Sequence, residues 1–341
     1  MSMEDRDRLQ TLLEPAHRIV IVQADNPDGD SLASALALEQ IFGDMGKEPH
    51  LYCGVDMPSY LHYLPGWDRV SNELPTTFDL SIIVDNSAGS LLETADRGGQ
   101  KNWLATRPCI VIDHHPVDIS IPFATLVINQ PAVATGEIIY ELAQQCKWPL
   151  NSVAKDMLAV SIMSDSLGLV SEGTTARSIH IVAELVEGGV SLALLDNARK
   201  ELMRKSPELV RYKGELLQRV EYHDNDRIAT ITIPWEEIEK YSHAYNPSML
   251  VLDDMRLTEG TDVAIAFKLY KDNKVTAKIR CNYGKTIATD LAVHFGGGGH
   301  PYASGFKVAD GRTFEEIKAD CIRFATELLN KLGEEALNET V

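Results

Sequence analysis

The first half of this sequence alternates short apolar runs with segments of helical periodicity, and this alternation restricts the fold more than any other feature. The apolar runs have the length and β-branched content of buried strands. They span 18–22, 80–84, 109–112 and 125–128, and the helical segments include 32–42 and 136–146. Strands that alternate with helices predict an α/β fold with a doubly wound parallel sheet.

Acidic residues and histidines follow these runs. The residues in question are Asp28 and Asp30 after the first run, Asp85 after the second, Asp113, His114 and His115 after the third, and Asp165 after an apolar stretch at 157–163. Ligands of open α/β sheets collect at the carboxyl ends of the strands. We therefore expect four segments to bring these side chains to one sheet edge.

Converging carboxylates repel one another unless a cation lies among them. Asp28 and Asp30 lie two residues apart in a Pro-Asp-Gly turn, so both can point at one spot. Two metal ions about 3.5 to 4 Å apart can activate water and neutralise charge at a phosphodiester. Oxygen ligands with an imidazole suit manganese or magnesium, with cobalt as a further possibility, and we expect two manganese ions. A purely structural interpretation, with turns, helix caps and a chance histidine pair, leaves the converging acids without a purpose.

The second half predicts a different arrangement. Leucines at helical spacing fill much of 178–220, and strand patterns return at 228–233, 263–267 and 274–280. A helix is expected near 286–295, and a last helix with Thr313 as its N-cap. We predict a catalytic domain at 1–188, a helical connector at 189–225 and a smaller α/β substrate-binding domain at 226–336, with a cleft between the two domains.

Charge and cysteine content restrict the class of substrate and the cellular compartment. The chain has 32 basic and 50 acidic residues, a net charge of −18, which opposes binding of long duplex nucleic acid and favours a short substrate. Five scattered cysteines form no C-x-x-C pair, and no apolar run reaches the roughly 18 residues of a membrane span. We expect a cytoplasmic protein that binds no membrane; a homodimer through the apolar connector is one expectation for its oligomeric state.

Four consecutive glycines, at 296–299, precede His300. Glycines let backbone N–H groups approach an anion without a Cβ in the way, which would make a phosphate-binding concavity. The alternative is a flexible turn between the helix ending near Phe295 and a strand at 304–308. The surrounding pattern Gly-Gly-Gly-His-x-x-Ala-x-Gly favours the phosphate site.

Five motifs together resemble a known family. They are 26–34 (Asn-Pro-Asp-Gly-Asp-Ser-Leu-Ala-Ser), 84–85, 113–115, 164–166, and 296–300 with Ala303 and Gly305. In this order they resemble the DHH phosphoesterases with a DHH-associated C-terminal domain, most closely the nanoRNase/pAp phosphatase type. The resemblance implies a metal-dependent phosphoesterase that hydrolyses short oligoribonucleotides and linear dinucleotides to nucleoside monophosphates, and also 3′-phosphoadenosine 5′-phosphate.

The resemblance also implies a role for each motif residue. Asp85 would bridge two metal ions, Asp113 would orient the neighbouring imidazole, and His115 would contact phosphate or give a proton to the leaving oxygen. The implied metal ligands are Asp28, Asp30, Asp85, His114 and Asp165; the implied catalytic residues are Asp30, Asp85 and His115; the implied substrate-binding residues are His115, Arg280, Gly297, Gly298, Gly299 and His300.

One position departs from the family pattern. The first motif of the family usually has a metal-binding histidine where this chain has Ala24. Either Gln23 or Asp25 supplies an oxygen instead, or one metal binds weakly until substrate completes its site. The departure keeps a nucleotide-binding sensor without catalysis as one alternative, and an inorganic pyrophosphatase is another.

Overall fold

The computed structural model describes residues 3–87, 89–116, 120–243 and 245–338. The chain divides into two compact units, Met1–Arg204 and Lys205–Val341. The predicted connector at 189–225 contributes one helix to each unit, because the division falls between residues 204 and 205. In the described residues no single helix has the length and apolarity of a membrane span. One pair of helices, Ala176–Glu187 and Leu192–Leu202, has that length and apolarity only when taken together, and it is bent by 98°.

The first unit is built on five strands with helices between them. Its strands are β1 (Arg18–Gln23), β2 (Glu48–Cys53), β3 (Leu80–Val84), β4 (Cys109–Asp113) and β5 (Leu126–Asn129). Its helices are α1 (Met3–Leu13), α2 (Gly29–Asp44), α3 (Glu93–Arg97), α4 (Gln100–Leu104), α5 (Thr135–Cys146), α6 (Ser152–Asp165), α7 (Ala176–Glu187) and α8 (Leu192–Leu202), with 3₁₀ turns at Ser59–Leu61, Trp67–Arg69 and Gly89–Leu92. All strand pairs are parallel, in the order β2-β1-β3-β4-β5.

Both faces of this sheet are covered. Along β1, Ile19 and Ile21 belong to a core with α2, α5, α6 and α7, whereas Val20 and Val22 belong to a second core with α3 and α4. A strand buried on both faces is apolar at consecutive positions rather than at alternate ones, which explains the continuous runs in the sequence. The predicted doubly wound α/β fold is confirmed.

Two parts of this unit differ from the sequence expectation. Strand β2 carries Pro49, which masks its strand pattern; it lies at the edge of the sheet, where a missing N–H is tolerated. The apolar stretch at 157–163 belongs to helix α6 and not to a strand, so Asp165 is the last residue of a helix. A helix buried on nearly all sides and a buried strand give the same continuous apolar run.

The second unit carries a mixed six-stranded sheet. Its strands are β6 (Glu221–His223), β7 (Ile228–Ile233), β8 (Val263–Leu269), β9 (Val275–Cys281), β10 (Gly298–His300) and β11 (Ala303–Val308), and its helices are α9 (Pro207–Leu217), α10 (Trp235–Tyr241), α11 (Pro247–Arg256), α12 (Ala288–His294) and α13 (Phe314–Asn338). The order is β10-β11-β9-β8-β7-β6, and only β7 and β8 pair in parallel among the described strands. Helices α12 and α13 pack on one face, and α9, α10 and α11 on the other.

The predicted cap of the last helix is present. Glu316 N donates to Thr313 Oγ1 at 3.3 Å, and Thr313 N donates to Glu316 Oε2 at 2.8 Å. This reciprocal pair satisfies two backbone donors that the helix cannot satisfy itself, so Thr313 ends the preceding loop and starts α13.

Candidate metal centre

Three carboxylates surround one imidazole at the carboxyl edge of the first sheet. His114 Nε2 lies 3.6 Å from Asp30 Oδ2, 3.4 Å from Asp85 Oδ1 and 3.5 Å from Asp165 Oδ2. Asp85 follows β3 and His114 follows β4, while Asp30 is in the first turn of α2 and Asp165 ends α6. Two strand ends and two helix ends therefore bring these four side chains together.

The hydrogen bonds of His114 determine which nitrogen faces the acids. His114 Nδ1 lies 3.1 Å from the carbonyl oxygen of Ala132, which can only accept, so Nδ1 carries the proton in the neutral ring. Nε2 then carries a lone pair, and it is buried without a hydrogen-bond partner in the part of the chain that the structure describes. A lone pair facing three carboxylates is electrostatically unfavourable, and a cation among them removes the conflict.

Asp30 is held by three donors. Its Oδ1 accepts from Ser34 Oγ at 2.9 Å and from Ser161 Oγ at 2.5 Å, and its Oδ2 accepts the backbone N–H of Thr135 at 2.7 Å. Because the side chain is fully buried and accepts three hydrogen bonds, it has little freedom to turn away. Asp30 therefore presents Oδ2 to the space around His114.

Asp85 is held by its backbone and by one hydroxyl. It has a φ of 55°, an uncommon conformation for a residue other than glycine, and its N–H extends the sheet by donating to the carbonyl of Ile112 at 2.9 Å. Thr135 Oγ1 donates to Asp85 Oδ1 at 3.2 Å. Thr135 at the start of α5 thus holds both Asp30 and Asp85.

The pKa values of three acids in this cluster are raised. Burial, together with the charge of Asp30, raises the pKa of Asp165 to about 7, and the same two causes raise the pKa of Asp85 well above its ordinary value. Burial is also the main reason why the pKa of Asp30 is raised. Carboxyl groups whose pKa rises in this way favour either a proton or a metal ion between them.

Two overlapping groups of side chains could hold a metal ion. Asp30, His114 and Asp165 form one group, and Asp85, Asp113, His114 and His115 form the other; within each, ligand atoms lie within 4.8 Å of one another. Carboxylate oxygens with imidazole nitrogen are suitable donors for a divalent cation. The residues present therefore fit a metal centre.

Asp113 supports the ring of His115 and not that of His114. Its Oδ1 lies 2.8 Å from His115 Nδ1 and accepts the backbone N–H groups of His114 and His115. Burial acts to raise the pKa of Asp113, but the hydrogen bonds and the charge of His115 act in the opposite direction and that pKa is lowered. The bond to Asp113 raises the pKa of His115, so this half-exposed ring carries a proton more readily than a free imidazole.

Asp28 stands apart from the two groups. It is exposed and caps helix α2, with its Oδ1 accepting the N–H of Ser31 at 3.0 Å. Its charge still raises the pKa of Asp30, Asp85 and Asp165, so it lies near the cluster without joining either group. Of the two carboxylates expected to point at one spot, Asp30 is buried in the cluster and Asp28 lies exposed at its rim.

Ala24 is buried, and no imidazole stands at its position. Asp25 Oδ2 accepts the N–H of Thr94 at 2.8 Å, and Asp25 belongs to neither group of ligands. Gln23 is fully buried, and both polar atoms of its side chain lack a hydrogen-bond partner among the described residues. Asp25 Oδ1 is likewise buried without a partner among the described residues, so both substitutes have an uncommitted oxygen.

The remaining predicted residues lie in the second unit. His300 pairs with Ala303, and Ala303 pairs with Arg280, so the side chains of His300 and Arg280 share one sheet face. The glycine run leads from α12 into β10. A Cβ on Gly297 would lie 2.2 Å from the carbonyl oxygen of Gly305, so the close approach of these two chain segments requires a glycine at 297. A Cβ on Gly298 would meet no atom within 4 Å.

Sequence reasoning missed two side chains that build this centre. Thr135 holds Asp30 and Asp85, and Ser161 on α6 donates to Asp30 and accepts the N–H of Gly136 at 2.9 Å. Both are hydroxyl residues inside or at the start of helices, and such residues are common without any functional role. Only their position beside Asp30 distinguishes them.

The chain is similar to known proteins in sequence and in structure. Residues 18–174 match the DHH family, N-terminal domain. The bifunctional oligoribonuclease and PAP phosphatase NrnA of Bacillus subtilis is 24% identical over 309 residues, 89% of this chain and 93% of that protein. The protein of the same name from Thermus thermophilus is 26% identical over 84% of this chain and 83% of its own.

One solved structure is similar over nearly the whole chain. An exopolyphosphatase-related protein from Bacteroides fragilis superimposes with a TM-score of 0.82 at 20% identity, covering 96% of this chain and 98% of that one. At this identity the likeness concerns the fold, which agrees with the two sheets described above. The match at residues 18–174 contains the Asp113-His114-His115 triplet, so the predicted resemblance to the DHH family is confirmed for this part of the chain.

Proposed function

We propose that this chain is a metal-dependent phosphoesterase that hydrolyses short oligoribonucleotides and linear dinucleotides to nucleoside monophosphates, and also 3′-phosphoadenosine 5′-phosphate. Support comes from the relatives named as bifunctional oligoribonuclease and PAP phosphatase, which align with most of the chain. The net charge of −18 agrees with a short substrate, since a long polyanion would be repelled. Five free cysteines agree with a reducing compartment such as the cytoplasm.

The observation that carries this proposal is the environment of His114 Nε2. A buried nitrogen within 3.6 Å of three carboxylates is a donor set that suits a divalent cation. We infer that Asp30, Asp85, His114 and Asp165 hold the metal, with Asp28 at the rim, and that manganese is the ion and two ions bind. A bound divalent metal supplies an activated water and neutralises charge on the phosphate.

The neighbouring side chains would orient the substrate and handle the proton. His115 Nδ1 is held by Asp113, which leaves Nε2 of a half-exposed ring to face the substrate. Because the pKa of His115 is raised, the ring can contact a phosphate oxygen as a cation or give a proton to the leaving oxygen. In the second unit, Arg280 and His300 on one sheet face would hold another phosphate of the substrate.

The test is hydrolysis of a panel of dinucleotides with manganese, magnesium or cobalt. We expect the parent chain to release nucleoside monophosphates, with manganese most active. Asp85→Ala should lower kcat by about a hundredfold or more, because it removes one of the inferred metal ligands. Asp68→Ala, which alters an exposed acid of the same unit, should behave as the parent.

Other results would contradict the proposal in distinct ways. Unchanged activity of Asp85→Ala would exclude the metal centre as the site of hydrolysis. Tight dinucleotide binding without products at saturating manganese would indicate a sensor, and turnover of pyrophosphate with inert dinucleotides would indicate a pyrophosphatase. Ala24→His should tighten manganese binding if the missing imidazole is what weakens one metal position.

A further inference from the structure

One face of the second-unit sheet is only partly covered by helices. Along β9, Thr276, Lys278 and Arg280 point to the same face, the one on which α11 packs against β7 and β8. The strand neighbours of Lys278 are Ala266 on β8 and Gly305 on β11. Because both neighbours are small, the side chain of Lys278 stands in an open space instead of a packed surface.

This space is a groove of about 530 Å³. It runs between the start of α11 and the strands β8, β9 and β11, and three lysines line it: Lys268, Lys278 and Lys307. None of the described side chains that line the groove is acidic. The volume is that of a small-molecule site and exceeds what a single ion fills.

The lysines of the groove have no counterions. No described carboxylate lies within 4.0 Å of Lys268, Lys278 or Lys307, although acids outnumber bases by 50 to 32 in the sequence and most other lysines have an acidic partner. Burial, with the charge of Lys278, lowers the pKa of Lys268, and burial, with the charge of Arg280, lowers the pKa of Lys278. Unpaired, partly buried cations of this kind are stabilised by a bound anion.

A buried hydroxyl supplies an independent sign of a ligand. Ser248 lines the groove and is fully buried, yet its Oγ has no hydrogen-bond partner in the described part of the chain. It lies in the first turn of α11, a helix of ten residues whose N-cap is Asn246. An unused buried donor at the positive end of a helix, beside three lysines, is the arrangement that binds phosphate oxygens.

We propose that Ser248, Lys268 and Lys278 form a phosphate-binding subsite for a nucleotide, with Lys307 at its rim. Gly296 and Gly297 of the glycine run line the same groove, so the subsite adds to the phosphate contact assigned to Arg280 and His300. His300, Arg280 and Lys278 share one sheet face through the register of β10, β11 and β9, so one substrate chain can contact all three. The identity of the ligand as an oligonucleotide rests on the proposed function. The subsite would hold a second phosphate of a substrate longer than a mononucleotide.

The test is equilibrium binding to the full chain with EDTA present, so that no hydrolysis occurs. The probe is diadenosine monophosphate carrying a 5′-phosphate, and inorganic phosphate is titrated in parallel. We expect Lys278→Met and Lys268→Met each to raise the Kd of the dinucleotide by about tenfold, since each removes a charge-assisted bond. Lys331→Met, an exposed lysine on α13, which covers the opposite face, should change it by less than about twofold.

Because the binding is measured without hydrolysis, its outcomes test the subsite independently of catalysis. A parent chain that does not bind the dinucleotide, or variants that bind it as tightly as the parent, would overturn the inference. Inorganic phosphate that binds as tightly as the dinucleotide, with the same loss in both variants, would mean a free-anion site and overturn the nucleotide assignment. The proposed hydrolysis is judged independently, by the manganese assay of the parent chain.

Ser248→Ala distinguishes a ligand contact from a structural one. Because the hydroxyl has no partner among the described residues, its removal should leave the unfolding temperature unchanged or raise it, while the Kd of the dinucleotide increases by about threefold. A lower unfolding temperature with unaltered binding would remove Ser248 from the subsite. Lys278→Met should likewise retain the parent's unfolding temperature, because a methionine stem fills the same space.

Discussion

At the scale of single residues, the metal centre depends on groups that hold its ligands in position. The carbonyl of Ala132 fixes the tautomer of His114, and Asp113 fixes the ring of His115. Thr135 supports two ligands at once, because its N–H holds Asp30 and its hydroxyl holds Asp85. Ligands that are held before the ion arrives lose little freedom on binding it.

Thr135→Val tests this support. Valine keeps the β-branched shape and the backbone N–H, so only the hydrogen bond to Asp85 is lost. We expect manganese affinity to fall by about tenfold, measured by calorimetric titration. Thr135→Ser retains the hydroxyl and should bind like the parent; a serine variant as weak as the valine variant would show that the methyl group matters and not the hydrogen bond.

At the scale of elements, three helices meet tightly behind the cluster. A Cβ on Gly136 of α5 would lie 2.1 Å from Ser161 Oγ and 2.6 Å from Ser161 Cβ on α6, and a Cβ on Gly29 of α2 would lie 2.2 Å from Ser164 Oγ. The two glycines therefore allow α2, α5 and α6 to approach closely. That approach is what brings Ser161 within reach of Asp30.

Gly136→Ala should separate α5 from α6. We expect the free energy of unfolding to fall by about 1 to 3 kcal/mol, because the added methyl meets buried atoms of Ser161 that cannot move away. Gly43→Ala on α2, where no atom lies within 4 Å of the added Cβ, is the matched control and should stabilise by about 0.4 to 1 kcal/mol. Urea unfolding measures both, and equal effects would contradict the packing argument.

The start of β1 gives a prediction that depends on pH. Asp79 Oδ2 accepts the N–H groups of His17 at 3.0 Å and Arg18 at 2.8 Å, and these bonds lower the pKa of Asp79. A lowered pKa in the folded state means stabilisation that is present above the unfolded pKa and lost as the pH falls through the folded one.

Asp79→Asn should therefore cost about 0.5 to 1 kcal/mol at pH 7, a modest value because the carboxylate is partly exposed. The difference from the parent should shrink as the pH drops below about 4. Urea unfolding at several pH values measures it, and a cost that stays constant down to pH 2 would show that the charge of Asp79 is not its source.

At the scale of the whole molecule, the chain has separate cores. The buried clusters of the first unit use residues up to Val190, and those of the second begin at Leu209. All candidate metal ligands lie in the first unit. Energy gained by binding a metal therefore acts first on the unfolding of that unit.

Manganese should accordingly protect the two units unequally. At a concentration a hundred times its Kd, we expect about 2.7 kcal/mol of added stability for the slowest amides of β1, β3 and β4, measured by hydrogen exchange, and a much smaller change for β8 and β9. In Asp85→Ala the effect should disappear. Equal protection of both units would show that they unfold together.

The sequence by itself determined the class of fold and the identity of most residues at the centre. Buried strands and helices differ in the spacing of their apolar side chains, and this spacing is visible in the local sequence. For that reason β1, β3, β4 and the flanking acids could be predicted. It could not predict β2, whose Pro49 hides the strand pattern, or the helical state of 157–163 before Asp165.

Tertiary structure alone decided how these residues meet. The strand order, the lone pair of His114 Nε2 among three carboxylates, and the hydroxyl of Thr135 joining Asp30 to Asp85 all involve residues far apart in sequence. Such contacts depend on which faces pack together and not on local periodicity. The same holds for the groove of the second unit, since Lys268, Lys278 and Ser248 come from three elements and line one groove only in the folded chain.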